Sequence, residues 1–275
     1  MTSPASPFQP LNAQTLQRVL ATISLGRTLH VHGEVTSTNT LAMALAQEGA
    51  SHGTVVVAET QTAGRGRLGR HWHSPSGNNL YCSILLRSNL PNDRQTLWLS
   101  WVPLIAALAA SRAVQTAAGL KSSVKWPNDI LVADKKLGGI LCESSGLGTD
   151  QMAVIVGVGL NVNIRREEFP EEIRDIATSI FTESGQPLDR SALLASLLLE
   201  METRCEAFLS GHQSDIQKEY MIRCSTIGRR VRVELTQGET MQGTAQSVQP
   251  DGSLRVTMDT GKTVDVRTGD VIHIR

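Results

Sequence analysis

The stretch Thr54-Val55-Val56-Val57-Ala58-Glu59 runs into Gln61 and then into Gly64-Arg65-Gly66-Arg67-Leu68-Gly69-Arg70. The first part is apolar and β-branched, which predicts a buried strand. The second part, called here the Gly-Arg loop, makes a poor helix or strand because glycine loses backbone entropy and has no side chain to pack. A ligand loop at a strand end is common in α/β architecture. We therefore expect guanidinium groups and backbone amides of this loop to bind an anionic small molecule.

Composition places the chain among ordinary globular proteins. Its 275 residues are enough for one large domain and one small one, and 40% of them are hydrophobic. Lys+Arg and Asp+Glu are equal at 26 each, so there is no global basic field for non-specific nucleic-acid binding. The four cysteines lie far apart without a zinc-type spacing, which predicts free, mostly buried thiols.

The N-terminal segment 1–10 has neither a basic region nor an apolar core, which argues against a secretory signal. The apolar run 97–110 is interrupted by Ser100 and Pro103 and falls short of the ~20 residues that a membrane span needs. We therefore expect a cytoplasmic protein without a membrane partner. Residues 11–25 predict one short amphipathic helix, which leaves no room for a helix-turn-helix module, so no specific DNA binding is expected.

Strands and helices follow in a mixed order. Residues 29–35 alternate as a strand, and Thr36-Ser37-Thr38-Asn39 supplies N-cap residues for a helix beginning near Leu41. Capping needs only one of these four side chains, which leaves open a second role in holding a polar ligand. Further strands are predicted at 79–86, 130–132, 137–142 and 153–160, and helices at 97–118 (kinked at Pro103), 171–182, 189–209 and 214–224. Residues 134–136 are predicted to form a turn.

Two strands contain glycines where side chains would otherwise pack. Gly138-Gly139 and Gly157-Val158-Gly159 mark close approach of the backbone to a ligand or to another strand. From about Thr226 the sequence changes to short alternating runs separated by turns at Gly238, 250–252 and 260–261. This spacing predicts a separate small β-barrel or sandwich of ~50 residues.

Several ordered motifs together resemble the biotin-protein ligases: Ser37-Thr38-Asn39, Gln61 with the Gly-Arg loop, Lys125-Trp126-Pro127-Asn128-Asp129, Lys136-Leu137-Gly138-Gly139-Ile140-Leu141 and Gly157-Val158-Gly159-Leu160-Asn161-Val162-Asn163. The resemblance implies an α+β fold. A mixed β-sheet packed against helices forms a class II synthetase-like catalytic domain at 1–225, followed by an SH3-like β-barrel at 226–275. It also implies the monofunctional type, without a DNA-binding domain, as a monomer or homodimer.

The family chemistry implied by the resemblance has two steps. ATP and biotin are substrates, Mg²⁺ assists, and biotinyl-5'-AMP transfers biotin to a lysine of a biotin carboxyl carrier domain. In the first step two anions must meet, which preorganised cations promote. By resemblance Arg67 holds phosphate oxygens and Lys136 bridges carboxylate and α-phosphate. Lys125 is either a further cation or support for the following turn. Asp129 binds Mg²⁺ through water or binds the ribose, or is instead an N-cap or ion-pair partner.

The resemblance also assigns binding residues. For biotin these are Ser37, Thr38, Asn39, Gln61, Gly64, Arg65, Trp72, Lys136, Gly138 and Gly139. For ATP they are Arg67, Arg70, Trp72, Asn128, Asp129 and Asn161. Trp72 is alternatively ordinary core filling. The pairs His30/His32 and His71/His73 have strand spacing but no completing ligand, so we interpret them as surface residues.

Two other functions remain open at this stage. A lipoate-type ligase would also adenylate a carboxylic acid, but the Gly-Arg loop and Lys125-Trp126-Pro127-Asn128-Asp129 resemble the biotin branch. The other is a non-catalytic binding protein. A biotin-sensing regulator would be expected to show DNA-contacting elements, which the sequence does not show, and a degenerate enzyme would be expected to lack Arg67 or Lys136, and both are present.

Overall fold

The computed structural model describes residues 9–87, 90–149, 151–235 and 238–274. The helices are α1 (Ala13–Val19), α2 (Thr38–Gln47), α3 (Asn92–Ala118), α4 (Ile180–Ser184), α5 (Arg190–Leu209) and α6 (Gln213–Arg223). The strands are β1 (Leu29–Val35), β2 (Val55–Gln61), β3 (Leu80–Arg87), β4 (Ser123–Lys125), β5 (Asp129–Val132), β6 (Lys135–Ser145), β7 (Ala153–Leu160), β8 (Arg230–Glu234), β9 (Thr240–Val248), β10 (Leu254–Met258), β11 (Thr263–Val266) and β12 (Asp270–His273). Residues 1–8 of the N-terminal segment, which was analysed above for a secretory signal, lie outside the described residues.

The larger sheet has seven strands in the order β1-β2-β3-β7-β6-β5-β4. Only β1 and β2 pair in parallel; the other neighbours are antiparallel. β2 is apolar through Ala58 and ends at Gln61, where the Gly-Arg loop begins, as predicted. The mixed sheet with helices packed on it agrees with the predicted α+β class.

The main core forms where α3 and α5 pack together on one side of this sheet. Trp98 and Trp101 of α3 contact Phe208 of α5 at ring-centroid distances of 5.3 and 6.2 Å. By length and composition alone α3 could cross a membrane, but 72% of its most apolar window is buried inside the structure. The apolar surface of this helix is therefore used in the protein core.

The C-terminal sheet has five antiparallel strands in the order β11-β10-β9-β8-β12. Its turns fall at the predicted glycines 238, 252 and 261, all with φ near +82°. Two indoles attach it to the larger unit: Trp101 Nε1 donates to the Pro250 carbonyl (2.9 Å) and Trp126 Nε1 donates to that of Gly252 (3.1 Å). Buried donors with such partners fix how the two units meet.

Three elements differ from the sequence prediction. The helix predicted over 11–25 ends at Val19, and the chain then turns beneath Glu202, whose carboxylate accepts backbone N–H groups of residues 23–25. The helix predicted over 171–182 is wrong up to residue 179, and only its last residues are helical, in α4. Residues 170–177 form turns, and the backbone at 176–178 pairs with Lys136 instead of continuing a helix. The turn predicted at 134–136 lies at Ala133–Asp134, and Lys136 belongs to β6.

Candidate active site

A cavity of about 930 Å³ lies between the Gly-Arg loop, the larger sheet and β12. Most predicted site residues line it: Ser37, Thr38, Asn39, Gln61, Arg65, Arg67, Arg70, Trp72, Asn128, Asp129, Lys136, Gly139 and Asn161. Lys125 lines it too. The motifs are up to about 130 positions apart in sequence, and the sheet order brings them to one place. Two predicted residues, Gly64 and Gly138, are not on its wall.

Gly64 and Gly138 make room for the protein's own atoms. A Cβ on Gly64 would lie 2.5 Å from the Trp72 carbonyl oxygen. On Gly138 it would lie 2.7 Å from the Gly159 carbonyl oxygen and would overlap Leu160. The missing side chain of Gly138 lets β6 pack against β7, and its assignment to the biotin site stays a prediction.

The indole of Trp72 packs against the two glycine-containing strands β6 and β7. A Cβ on Gly159 would be 2.7 Å from the indole, and one on Gly139 would be 3.5 Å from it. Lys136 Nζ is 5.6 Å from the ring centroid, within cation–π range. The indole Nε1 is buried and has no hydrogen-bond partner in the described part of the chain. Trp72 thus forms an apolar floor with one unpaired donor, which suits a ligand with an apolar body.

Lys136 is held from two directions. Its backbone N–H donates to the Ile176 carbonyl (2.8 Å), and its own carbonyl accepts from Thr178 (2.9 Å). Its Nζ lies 2.7 Å from Asp129 Oδ1. The ammonium is therefore fixed in the cavity by a carboxylate that an incoming anion could replace.

Arg67 spans the cavity between the two units. One terminal nitrogen donates to Asn128 Oδ1 (2.9 Å) and the other to the Gly269 carbonyl (2.7 Å). Burial lowers the pKa of Arg67, and the nearby carboxylates Asp270 and Asp129 oppose this. The guanidinium stays charged because its ordinary pKa is so high, and in this partly dehydrated place its charge is weakly screened.

The other loop arginines also have protein partners. Arg65 pairs with Glu143 at 2.7 Å, and Arg70 pairs with Asp270. Sequence reasoning missed Glu143 and Asp270, since a single acidic residue far along the chain gives no local signal. All three arginines of the loop are thus held by protein groups in this structure.

The polar end of the cavity is built on the start of α2. Ser37 occupies the N-cap position but its side chain makes no capping hydrogen bond. Gln61 Oε1 accepts from the Thr38 backbone N–H (2.9 Å), and Gln61 Nε2 donates to Ser74 Oγ (3.0 Å). Asn39 is buried and hydrogen-bonded to protein groups. Thr38, Asn39 and Gln61 therefore belong to one polar network, which also contains Ser74, a residue that the sequence did not predict.

Lys125 and His273 form the wall between the two units. Burial lowers the pKa of Lys125, while Asp129 and Asp270 act in the opposite direction. Burial also lowers the pKa of His273 to about 4, helped by the positive charges of Lys125 and Arg229. His273 is therefore neutral at pH 7, and its sequence position gave no indication of a place in the cavity.

The remaining wall is apolar. It is formed by Phe169 and by Ile173, Ile176 and Ala177, and the last three belong to the part of 171–182 that forms turns instead of the predicted helix. Asn161 lies beside it and donates from Nδ2 to the Thr178 carbonyl (3.0 Å). An apolar wall next to a cationic cluster matches a molecule with a flat apolar part and an anionic part.

The two histidine pairs lie in different parts of the structure. His30 and His32 lie on edge strand β1 with rings 6.5 Å apart. His71 is exposed and His73 is half-buried, and both line the cavity. Burial lowers the pKa of His73, and the neighbouring His71 adds to the shift.

No group of three or more His, Cys, Asp or Glu side chains suited to a metal occurs among residues 9–87, 90–149, 151–235 and 238–274. Mg²⁺ does not need such a cage, because it is commonly held by one or two carboxylates together with substrate phosphates. Asp129 fits that mode. Its Oδ1 is buried and receives no aligned hydrogen bond, although Lys136 is close.

Comparisons with known proteins agree with this geometry. Residues 32–161 match the Biotin/lipoate A/B protein ligase family, and residues 226–274 match the biotin protein ligase C terminal domain. The Bifunctional ligase/repressor BirA of Bacillus subtilis is 36% identical over 242 residues, covering 88% of this chain and 73% of that protein. The Biotin--[acetyl-CoA-carboxylase] ligase of Mycobacterium tuberculosis is 35% identical over 268 residues, 97% of each chain.

A solved structure shows the same architecture. The biotin protein ligase from Aquifex aeolicus, in complex with biotin and ATP, has a TM-score of 0.77 and 30% identity, covering 90% of this chain and 99% of that one. The predicted fold class, a mixed-sheet catalytic unit followed by a small β unit, is thereby confirmed. The chain belongs to the biotin protein ligases, within the Biotin/lipoate A/B protein ligase family.

Proposed function

We propose that this protein activates biotin with ATP and transfers it to a lysine of the biotin carboxyl carrier domain of a carboxylase. One observation carries the proposal. Arg67 and Lys136 lie on the same cavity, each already held by a polar group, Asn128 and Asp129 respectively. Two fixed cations on one cavity are what a reaction between two anions requires.

In the first step a biotin carboxylate oxygen attacks the α-phosphorus of ATP. A new P–O bond forms, the bond to the bridging oxygen of the β-phosphate breaks, and diphosphate leaves. Lys136 neutralises the carboxylate and the α-phosphate as they approach, and its compact charge can follow the oxygens. The two terminal nitrogens of Arg67 donate hydrogen bonds to phosphate oxygens. In this structure the same nitrogens donate to Asn128 Oδ1 and to the Gly269 carbonyl.

In the second step the acceptor lysine, as a neutral amine, attacks the acyl carbon of biotinyl-AMP. An amide bond forms, AMP leaves and the amine loses a proton. Biotin's ring lies in the cavity with its polar groups at the Thr38 and Gln61 network and its apolar part on the indole of Trp72. The segment around Ile173 and Ile176 offers an apolar surface for the base of ATP.

We assign Mg²⁺ to Asp129 together with the ATP phosphates, supported by the buried Oδ1 described above. Bound there, the ion would neutralise phosphate charge. We also place the boundary between the catalytic unit and the C-terminal unit at residues 225 and 226. Both the change in strand pattern and the match beginning at residue 226 support this boundary. The four free cysteines support a cytoplasmic location.

The direct test incubates the protein with ATP, Mg²⁺, biotin and a carrier domain and follows the mass of the acceptor. We expect one biotinyl addition, and none with Lys136→Ala or Arg67→Ala, both of which should remain folded by circular dichroism. An unmodified acceptor with the wild-type protein would reject the proposed transfer. Near wild-type rates in both variants would instead mean that the two catalytic roles are misassigned.

Two competing functions are tested by ligand binding and by diphosphate release. Isothermal titration with biotin and with lipoate separates the ligases, and tight binding of lipoate alone would favour the lipoate type. A non-catalytic regulator would bind biotin but release no diphosphate. The cation pair of Arg67 and Lys136 favours the catalytic alternative.

A further inference from the structure

A buried hydroxyl lies behind the polar end of the cavity. Ser83, on β3, has no exposed surface and does not line the cavity. Its Oγ is 2.6 Å from Asn39 Oδ1 and 2.8 Å from Thr38 Oγ1. A hydroxyl carries a single proton, so Ser83 can donate to only one of these oxygens.

The orientation of Asn39 decides which oxygen receives the proton. Its Nδ2 lies 3.1 Å from the Leu141 carbonyl oxygen and 2.8 Å from Glu143 Oε2, and both of these accept only. The amide nitrogen therefore faces β6, and the amide oxygen faces Ser83. The side chain is held in this place by Gly157, where a Cβ would overlap it. Because Asn39 Oδ1 cannot donate, Ser83 donates to Asn39.

This assignment fixes the role of Thr38. With the proton of Ser83 used on Asn39, the Thr38 hydroxyl donates to Ser83 Oγ, 2.8 Å away, because Gln61 Oε1 is farther off at 3.2 Å and already accepts from the Thr38 backbone N–H. This acceptor lies in the protein. The Thr38 oxygen that lines the cavity is left with lone pairs only, so it can accept from a ligand but has no proton free to donate.

We propose that Ser83 is a positioning residue for biotin: it makes the Thr38 hydroxyl an acceptor for an N–H group of the ureido ring. The proposal rests on the proposed biotin-binding role of this cavity. A ligand that presented a carbonyl oxygen here would meet a second acceptor and be rejected. A row of hydrogen bonds through Glu143, Asn39, Ser83 and Thr38 thus connects a carboxylate on β6 to the residue that selects the ligand at the start of α2.

The test measures biotin-dependent diphosphate release by Ser83→Ala. We expect KM for biotin to rise about tenfold, the effect of one misdirected hydrogen bond, with kcat and KM for ATP within about twofold of wild type. The matched control is Ser111→Ala. Ser111 is equally buried, bonds Ser122 on the far side of the sheet from this network, and should leave KM for biotin unchanged. Equal KM values in the two variants would overturn the proposal.

A double-mutant cycle separates positioning from a purely structural role. If Ser83 acts through Thr38, Ser83→Ala should change KM for biotin by less than about twofold in a Thr38→Val background. A full tenfold effect in that background, or an equal rise in KM for ATP, would contradict the assignment. If Ser83→Ala does not fold, Ser83→Cys keeps a weak donor of similar size and should raise KM for biotin by a smaller factor. Absence of diphosphate release by the wild-type protein would instead reject the proposed function itself.

Discussion

Arg67 of the Gly-Arg loop donates to the carbonyl of Gly269, 2.7 Å away, so the C-terminal sheet touches the proposed catalytic arginine directly. The neighbouring pair of Arg70 and Asp270 strengthens the same junction. The small unit therefore forms part of the cavity wall. The Gly-Arg loop is thus held by contacts with other parts of the protein.

The first prediction concerns the fork of Arg67. Arg67→Lys keeps the charge but cannot reach Asn128 and Gly269 together, because an ammonium lacks the two parallel nitrogens of a guanidinium. We expect kcat for diphosphate release to fall about 100-fold, as for the loss of an aligned donor to a developing charge. Steady-state kinetics measure this.

Arg166→Lys is the control for that variant. Arg166 pairs with Asp175 on the exposed surface, and the substitution should leave kcat unchanged. A wild-type rate in Arg67→Lys would show that charge alone is needed at position 67, and the fork would then have no catalytic role.

The sequence predicted the strands of both sheets except β4 (Ser123–Lys125), because apolar, β-branched runs and alternation are local properties. The run ending at Gln61 is an example. It failed over 171–182, where helix-forming residues instead pair their backbone with Lys136. The partner of that segment lies about 40 positions earlier in the chain, and no local pattern reports it.

The glycines show the same limit of prediction from sequence. Sequence predicted close approach at Gly138, Gly139, Gly157 and Gly159 but left open whether a ligand or the protein makes it. In the structure Leu160, Trp72 and Asn39 fill that space. Likewise Glu143, Ser83 and Asp270 became visible only when folding placed them against residues of the recognised motifs.

A second prediction tests the Trp72 floor. Gly159→Ala places a methyl group 2.7 Å from the indole, so the ring must move. We expect a loss of about 1–3 kcal/mol in the free energy of unfolding and at least a tenfold weaker affinity for biotin, measured by urea denaturation and calorimetry.

Gly33→Ala provides the comparison for this substitution. Gly33 also lies in a strand, and a Cβ there would meet nothing within 4 Å. Its stability and biotin affinity should stay near wild type. Should Gly159→Ala bind biotin as tightly as Gly33→Ala, the indole would not form part of the biotin site.

A third prediction concerns the thiols. Burial raises the pKa of Cys82 and of Cys142 to about 12, and it also raises the pKa values of Cys205 and Cys224. The reactive species is the thiolate, so the folded protein should resist iodoacetamide at pH 8. Mass spectrometry should find no rapid labelling in buffer and four additions in urea. Rapid labelling of one thiol in buffer would show that it is exposed.

The last prediction is a pH dependence of stability from His273. Its pKa is about 4 in the folded protein and near 6.5 when unfolded, so between these values the unfolded chain binds more protons. The contribution of the neutral ring is therefore complete above pH 6.5 and is lost as the pH falls towards 4. The proton would be added to a half-buried ring beside Lys125 and Arg229, which explains why the pKa of His273 is lowered.

We expect His273→Gln to reduce the drop in urea midpoint between pH 6.5 and pH 4.5. His212→Gln, at the exposed start of α6, should leave that drop unchanged. An identical drop in His273→Gln and wild type would mean that the ring does not titrate differently in the two states.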